Sequence, residues 1–211
     1  RARLLADRQV VSATIARRFP DRLVVGVEER APVARVRVEV GGAARDFLVA
    51  PDGVVFAGTG FDSAFLASLP WLGGVTLGPE GEGFRPIAGL APVAQLLAEA
   101  QLSAPRLCRT WLSISLARLA GDRELEVTTT NGTTIVFKAT GEFFSQLATL
   151  DYLLDRLADT PMARAHIDLT LGRNVPVRIE PAAPEQPPAE PAAAPPAPAN
   201  PAPASPPFFS P

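Results

Sequence analysis

From Phe143 to Leu157 the large apolar residues Phe143, Leu147, Leu150, Leu154 and Leu157 recur at spacings of four, three, four and three. One face of an α-helix produces that rhythm, because a turn takes about 3.6 residues. The stripe runs for about two heptads, short of the three to four that a coiled-coil seam wants, so it is expected to pack on a sheet. The flanking segments supply the sheet. Leu112, Ile114 and Leu116 alternate with Ser113, Ser115 and Ala117, and Leu125 with Val127 repeats the period of two. Asn131-Gly132, ahead of Ile135-Val136-Phe137, is the strongest hairpin signal in the chain. After the stripe come two more strands, Ala165 to Leu171 and Val175 to Ile179. A shorter amphipathic helix on Leu90, Val93, Leu97 and Ala100 precedes the set.

The N-terminal part reads as a second, smaller unit. Leu4, Val10, Val11, Thr14 and Ile15 have helix-like spacing, which predicts a helix from Arg3 to Arg18 that ends at Phe19-Pro20-Asp21. Strands follow at Leu23 to Val27, Val33 to Val40 and Asp46 to Ala50. Pro51-Asp52-Gly53 is a tight turn, since proline presets its first φ and glycine accepts a positive one. Val54-Val55-Phe56 resumes the sheet. The fold class is therefore α+β. The expected plan is an α+β unit at 1–57, a Gly/Pro-rich connector at 58–89, a mixed β domain with a packed amphipathic helix at 90–180, and a tail at 181–211.

That tail holds 13 of the 23 prolines, mixed with alanine. Proline has no backbone donor and alanine buries little area, so the tail is expected to be disordered and partly polyproline-II. The 211-residue chain has 20 basic and 22 acidic residues, and three of the acids (Glu180, Glu185, Glu190) lie past Ile179. The body is thus close to neutral, which argues against a nucleic-acid binder. Cys108 is the only cysteine, so no internal disulfide and no multi-thiolate metal site can form. It reads as a small buried hydrophobe beside Trp111.

No stretch reaches the roughly 20 clean apolar residues of a membrane helix. The most apolar one, Phe61 to Leu77, is broken by Asp62, Pro70 and Gly73-Gly74. The chain opens at Arg1 inside a helical pattern, so an anchor or export segment is expected upstream.

Catalytic constellations are not marked. His166 is the single histidine, with Asp168 two residues away on the same strand face, but no nucleophile motif accompanies them. No glycine loop completes a dinucleotide or phosphate-binding fingerprint. No cofactor, no metal and no enzymatic activity are expected. Binding has one pointer. Val175 to Ile179 is the final strand, and Pro176 places it at a sheet edge, because proline is excluded from central strands. An edge offers unpaired N–H and C=O groups to an incoming chain. Pro176 removes one donor from whichever side it faces, so it either protects the edge or leaves it usable.

The run Arg17-Arg18-Phe19-Pro20-Asp21-Arg22-Leu23 through Val27-Glu28-Glu29-Arg30-Ala31-Pro32-Val33-Ala34 resembles the signature of the bacterial cell-division family FtsQ/DivIB. Leu48 to Phe56 resembles that family's following strand, and Leu69-Pro70-Trp71-Leu72-Gly73 its connector. Asn131-Gly132, the Phe143 to Leu157 helix and Ile167-Asp168-Leu169 keep the order of its β domain. The resemblance implies a truncated POTRA-type domain, lacking its first strand and helix, followed by that β domain. It also implies a non-enzymatic scaffold of the divisome outside a single-pass inner-membrane anchor. The implied partners are the small division proteins FtsB and FtsL, docking on the last strand through Leu171, Asn174, Val175, Val177 and Ile179. Thr170 stands where the family often has arginine. The alternative reading is a POTRA-type chaperone or translocation module of the envelope.

Overall fold

The computed structural model describes residues 2–81, 83–158, 164–172 and 174–180. The tail expected at 181–211 lies outside the described residues. Helices and strands are mixed, as the α+β reading expects. In chain order the elements are α1 (Ala2–Leu5), β1 (Val10–Arg18), β2 (Arg22–Glu29), β3 (Ala34–Val40), β4 (Ala43–Val49), β5 (Val55–Phe56), α2 (Ser63–Ser68), β6 (Trp71–Gly73), β7 (Pro79–Glu80) and β8 (Gly83–Phe84). They continue with α3 (Ala91–Ser103), α4 (Pro105–Cys108), β9 (Trp111–Ser115), α5 (Leu119–Asp122), β10 (Glu124–Thr129), β11 (Thr134–Lys138), α6 (Phe143–Leu157), β12 (Arg164–Asp168) and β13 (Val177–Glu180).

Among the described residues nine strands form one sheet in the order β13-β12-β11-β10-β9-β6-β3-β4-β5. The segment read as a connector supplies β6, which pairs in parallel with β3 on one side and β9 on the other. Trp71 and Leu72 therefore continue the ladder from the first strands into the last. Arg35 and Arg37 hold Trp71 from β3, their guanidinium carbons lying 4.2 and 4.8 Å from its ring centre. Arg35 also donates to the Leu69 carbonyl at 3.0 Å.

One face of the sheet carries the main core. Val93, Leu96, Leu97 and Ala100 of α3 and Phe143, Leu147 and Leu150 of α6 are buried against Val36, Ile114, Leu125, Val127, Phe137 and Ile167. The sequence stripe thus packs on the sheet, as its length required, and α3 meets α6 in the same layer. Toward the β4–β5 end the other face is covered as well. There Leu66 of α2 and Phe61 pack on a small cluster of Leu48, Ala50, Phe56 and Leu69. Asp62 caps α2 by accepting from the Ala64 and Phe65 amides at 2.8 and 3.0 Å.

Three local expectations change. The helix expected at Arg3 to Arg18 is confined to Ala2–Leu5, and Val10–Arg18 is a strand paired antiparallel with β2. Val11, Ala13 and Ile15 also recur every second residue, and their partners on β2 do the same: Ala13 faces Val27 and Ile15 faces Val25. In so short a run both periods fit, and β-branched side chains with a complementary partner strand favour the sheet. Phe19-Pro20-Asp21 is accordingly the hairpin turn and not a helix end.

The alternation expected from Leu112 to Leu116 is interrupted by a bulge. Thr128 pairs with Ser113 but Thr129 with Trp111, leaving Leu112 as the extra residue, 47% exposed, while Trp111 is buried. The last two strands are also shorter than read: β12 ends at Asp168 and β13 starts at Val177.

The β1–β2 hairpin stands apart from the large sheet. Its joint is polar. Gln9, buried, donates to the Thr59 carbonyl at 3.0 Å and accepts the Thr59 amide at 2.9 Å. Arg30 donates to the Arg8 carbonyl at 2.9 Å and pairs with Asp52. Beyond this joint Ile15, Leu23, Val25 and Val27 share an exposed apolar face. No helix among the described residues is long and apolar enough to cross a membrane.

Candidate partner-binding edge

The sheet runs out at β13, and the way β13 is paired decides which of its backbone groups are free. It lies antiparallel to β12, with Ile167 facing Val177, His166 facing Arg178, Ala165 facing Ile179 and Arg164 facing Glu180. In an antiparallel ladder alternate residues turn their N–H and C=O toward the same neighbour. The Asp168 amide donates to the Pro176 carbonyl at 3.1 Å, which puts the even-numbered residues of both strands in the shared ladder. The odd residues of β12 turn the other way, as the Leu169 amide shows by donating to the Val136 carbonyl beside β11 at 2.9 Å. Arg178 and Glu180 therefore bond inward to β12. Val177 and Ile179 point their N–H and C=O groups out of the sheet.

The missing donor of Pro176 thus faces β12. Of the two readings left open by the sequence, the geometry selects the one in which proline does not blunt the outer edge. Pro176 costs the inner ladder one hydrogen bond, about 1 kcal/mol, and leaves the outward row at Val177 and Ile179 intact.

Side chains sort by the same pleat. Val177 shares the core side with Ala165 and Ile167 and packs half-buried against the main core. Ile179, opposite the small Ala165, is 36% exposed. The opposite side is polar. Arg164, His166 and Asp168 of β12 and Arg178 and Glu180 of β13 line a cleft of about 740 Å³ that reaches Thr134 and the Gly132 turn. Gly132 has φ +81°, the positive value that Asn131-Gly132 foretold. Asp168 turns its Oδ1 to the Thr170 amide and hydroxyl, at 2.9 and 2.6 Å, and not to His166.

The five residues expected to bind a partner are not equivalent. Val177 and Ile179 lie on the edge strand, with backbone groups that are unpaired among the described residues. Val175 precedes that strand and packs half-buried against the core. Asn174 is exposed in the bend before it. Leu171 lies in the turn after β12 and is 62% exposed. The sequence reading did not single out Arg164 and Arg178, which line the cleft beside the edge, although the alternation of Arg178 and Glu180 with Val177 and Ile179 carried the signal.

Cys108 packs at the rim of the main core, and burial pushes its thiol above the ordinary value. Among the described residues no three His, Cys, Asp or Glu side chains gather where they could hold a metal ion. No protein-family model matches the chain, and no curated protein matches it.

Proposed function

We propose that this chain is a non-enzymatic scaffold of the bacterial divisome, of the FtsQ/DivIB type, that acts outside the inner membrane. In this reading it binds FtsB and FtsL segments by accepting a strand at β13. The observation that carries it is the outward-facing row of backbone groups at Val177 and Ile179, left usable because Pro176 faces inward. The ordered resemblance of residues 17–56, 69–73 and 131–169 supplies the identity of the partners.

Calorimetric titration of the whole chain with the extracytoplasmic FtsB–FtsL segments of the same organism tests it. The comparison protein carries Val177→Asp with Ile179→Asp, and circular dichroism checks that both proteins are folded. Micromolar or tighter binding, weakened at least about 100-fold in the double variant, is the expected result. Absence of binding by the folded wild type sinks the proposal.

A POTRA-type chaperone or translocation module is the second reading. It is favoured by the uncovered apolar face of the β1–β2 hairpin, where Leu23 is 64% exposed. Capture of an unfolded envelope-protein peptide that is lost on Val25→Asp, yet survives the two substitutions in β13, would select it.

A further inference from the structure

The cleft beside β13 says what the incoming strand must look like. Whatever direction that strand runs, the pleat sends alternate side chains to opposite sides of the sheet. Partner residues hydrogen-bonded beside Val177 and Ile179 join the core side, where Ile179 is exposed. The residue between them emerges on the polar side, next to Arg178. Arg178 lies directly across from His166, and Arg164 is the next residue along that face. Both arginines line the cleft, and among the described residues neither belongs to an ion pair. Of the two carboxylates in the cleft, Asp168 is engaged by Thr170, and Glu180 stands directly across from Arg164, which leaves Arg178, opposite His166, as the arginine with no acid facing it.

We infer that the strand which adds to β13 has an apolar–acidic–apolar pattern, its apolar residues beside Val177 and Ile179 and its carboxylate in the cleft at Arg178. This rests on the edge-binding reading above and adds the chemistry of the occupant. A guanidinium recognises a carboxylate through two parallel N–H donors, which selects an acid over an amide or a base. The attraction works at a half-open cleft and therefore weakens with salt.

The test uses the whole chain and two synthetic eleven-residue peptides, identical except for a central glutamate or lysine between two valines. Binding is followed by calorimetry and by shifts of the amide resonances of β13. The glutamate peptide is expected to bind at least ten-fold tighter. That preference is expected to shrink below two-fold in Arg178→Gln, an exposed position whose folding is checked by thermal melting, and in high salt. Equal or tighter binding of the lysine peptide overturns the inference. If neither peptide binds while the FtsB–FtsL segments do so through Val177 and Ile179, the acidic pattern is overturned and the edge reading stands. If neither peptide nor segment binds the folded chain, both fall together.

Discussion

The two ends of the nine-stranded sheet are built on opposite terms. At one end β5 is two residues long, and both of them, Val55 and Phe56, are buried. The β7–β8 hairpin packs against it, tied on by the edge-to-face contact of Phe84 with Phe47 at 5.2 Å and by the Ile87 amide donating to the Gly53 carbonyl at 2.8 Å. At the other end β13 is four residues long, half-buried at Val177 and exposed from Arg178 to Glu180. A long open edge invites pairing with other chains, and proteins blunt it with short strands, covering segments or proline. This chain uses the first two devices at β5. At β13 it has a proline, but one turned inward. The contrast shows that a proline in an edge strand protects the edge only on the side its nitrogen faces.

Substitutions at the two ends test how different they are. Phe56 is 3% exposed and packs on Leu48 and Leu69, so Phe56→Ala is expected to cost about 3–5 kcal/mol in urea unfolding. Ile179→Ala at the open edge is expected to cost about 1 kcal/mol or less, because the side chain already meets solvent. Equal losses at the two sites would erase the distinction.

A smaller effect is expected at the covering segment. Gly53 has φ +83°, and a Cβ there would lie 2.4 Å from the Ile87 carbonyl oxygen. Gly53→Ala is therefore expected to destabilise by about 2 kcal/mol and to speed amide exchange at Ile87. An unchanged Ile87 rate would show that the turn is not what holds the cover.

Hydrogen exchange sharpens the other end without a change in stability. The amides of Val177 and Ile179 are expected to exchange quickly in the free chain, and those of Arg178 and Glu180 slowly. Pro176→Ala is expected to add a protected amide and to leave partner affinity within about two-fold, since the regained donor points at Asp168. A marked gain in affinity would mean that residue 176 faces outward.

The smallest effect concerns pH. Arg37 holds Asp46 through hydrogen bonds of 2.6 and 2.9 Å and lowers its carboxyl below the ordinary carboxylate value. A depressed acid contributes its stability in full above the ordinary value and loses it as pH falls through the depressed one. Both partners are exposed, so the contribution is modest and salt-sensitive. Between about pH 6 and pH 2 the melting temperature of Asp46→Asn is expected to fall slightly less than that of the wild type.

The parts of the fold that were legible share one property. The Phe143–Leu157 stripe, the Asn131-Gly132 turn and the Pro51-Asp52-Gly53 turn each state their conformation within a few residues, through periodicity or a required φ. The misread helix at Val10–Arg18 lacked that property. Val10, Val11, Thr14 and Ile15 fit two periods, and only the complementary face of Leu23, Val25 and Val27 decided between them. Leu112 was misplaced for a related reason: a bulge is a feature of two strands and leaves no mark in one.

At the candidate site the residue types were readable and their directions were not. Proline, valine and isoleucine near residue 176 announced an edge strand because each has a local backbone preference. The side on which Pro176 lacks its donor, the outward row at Val177 and Ile179, and the placing of Arg178 opposite His166 all follow from ladder register. Local chemistry determined that there is an edge here. Pairing with β12, which joins residues eight to sixteen apart along the chain, decided that the outward row of the edge is unpaired among the described residues.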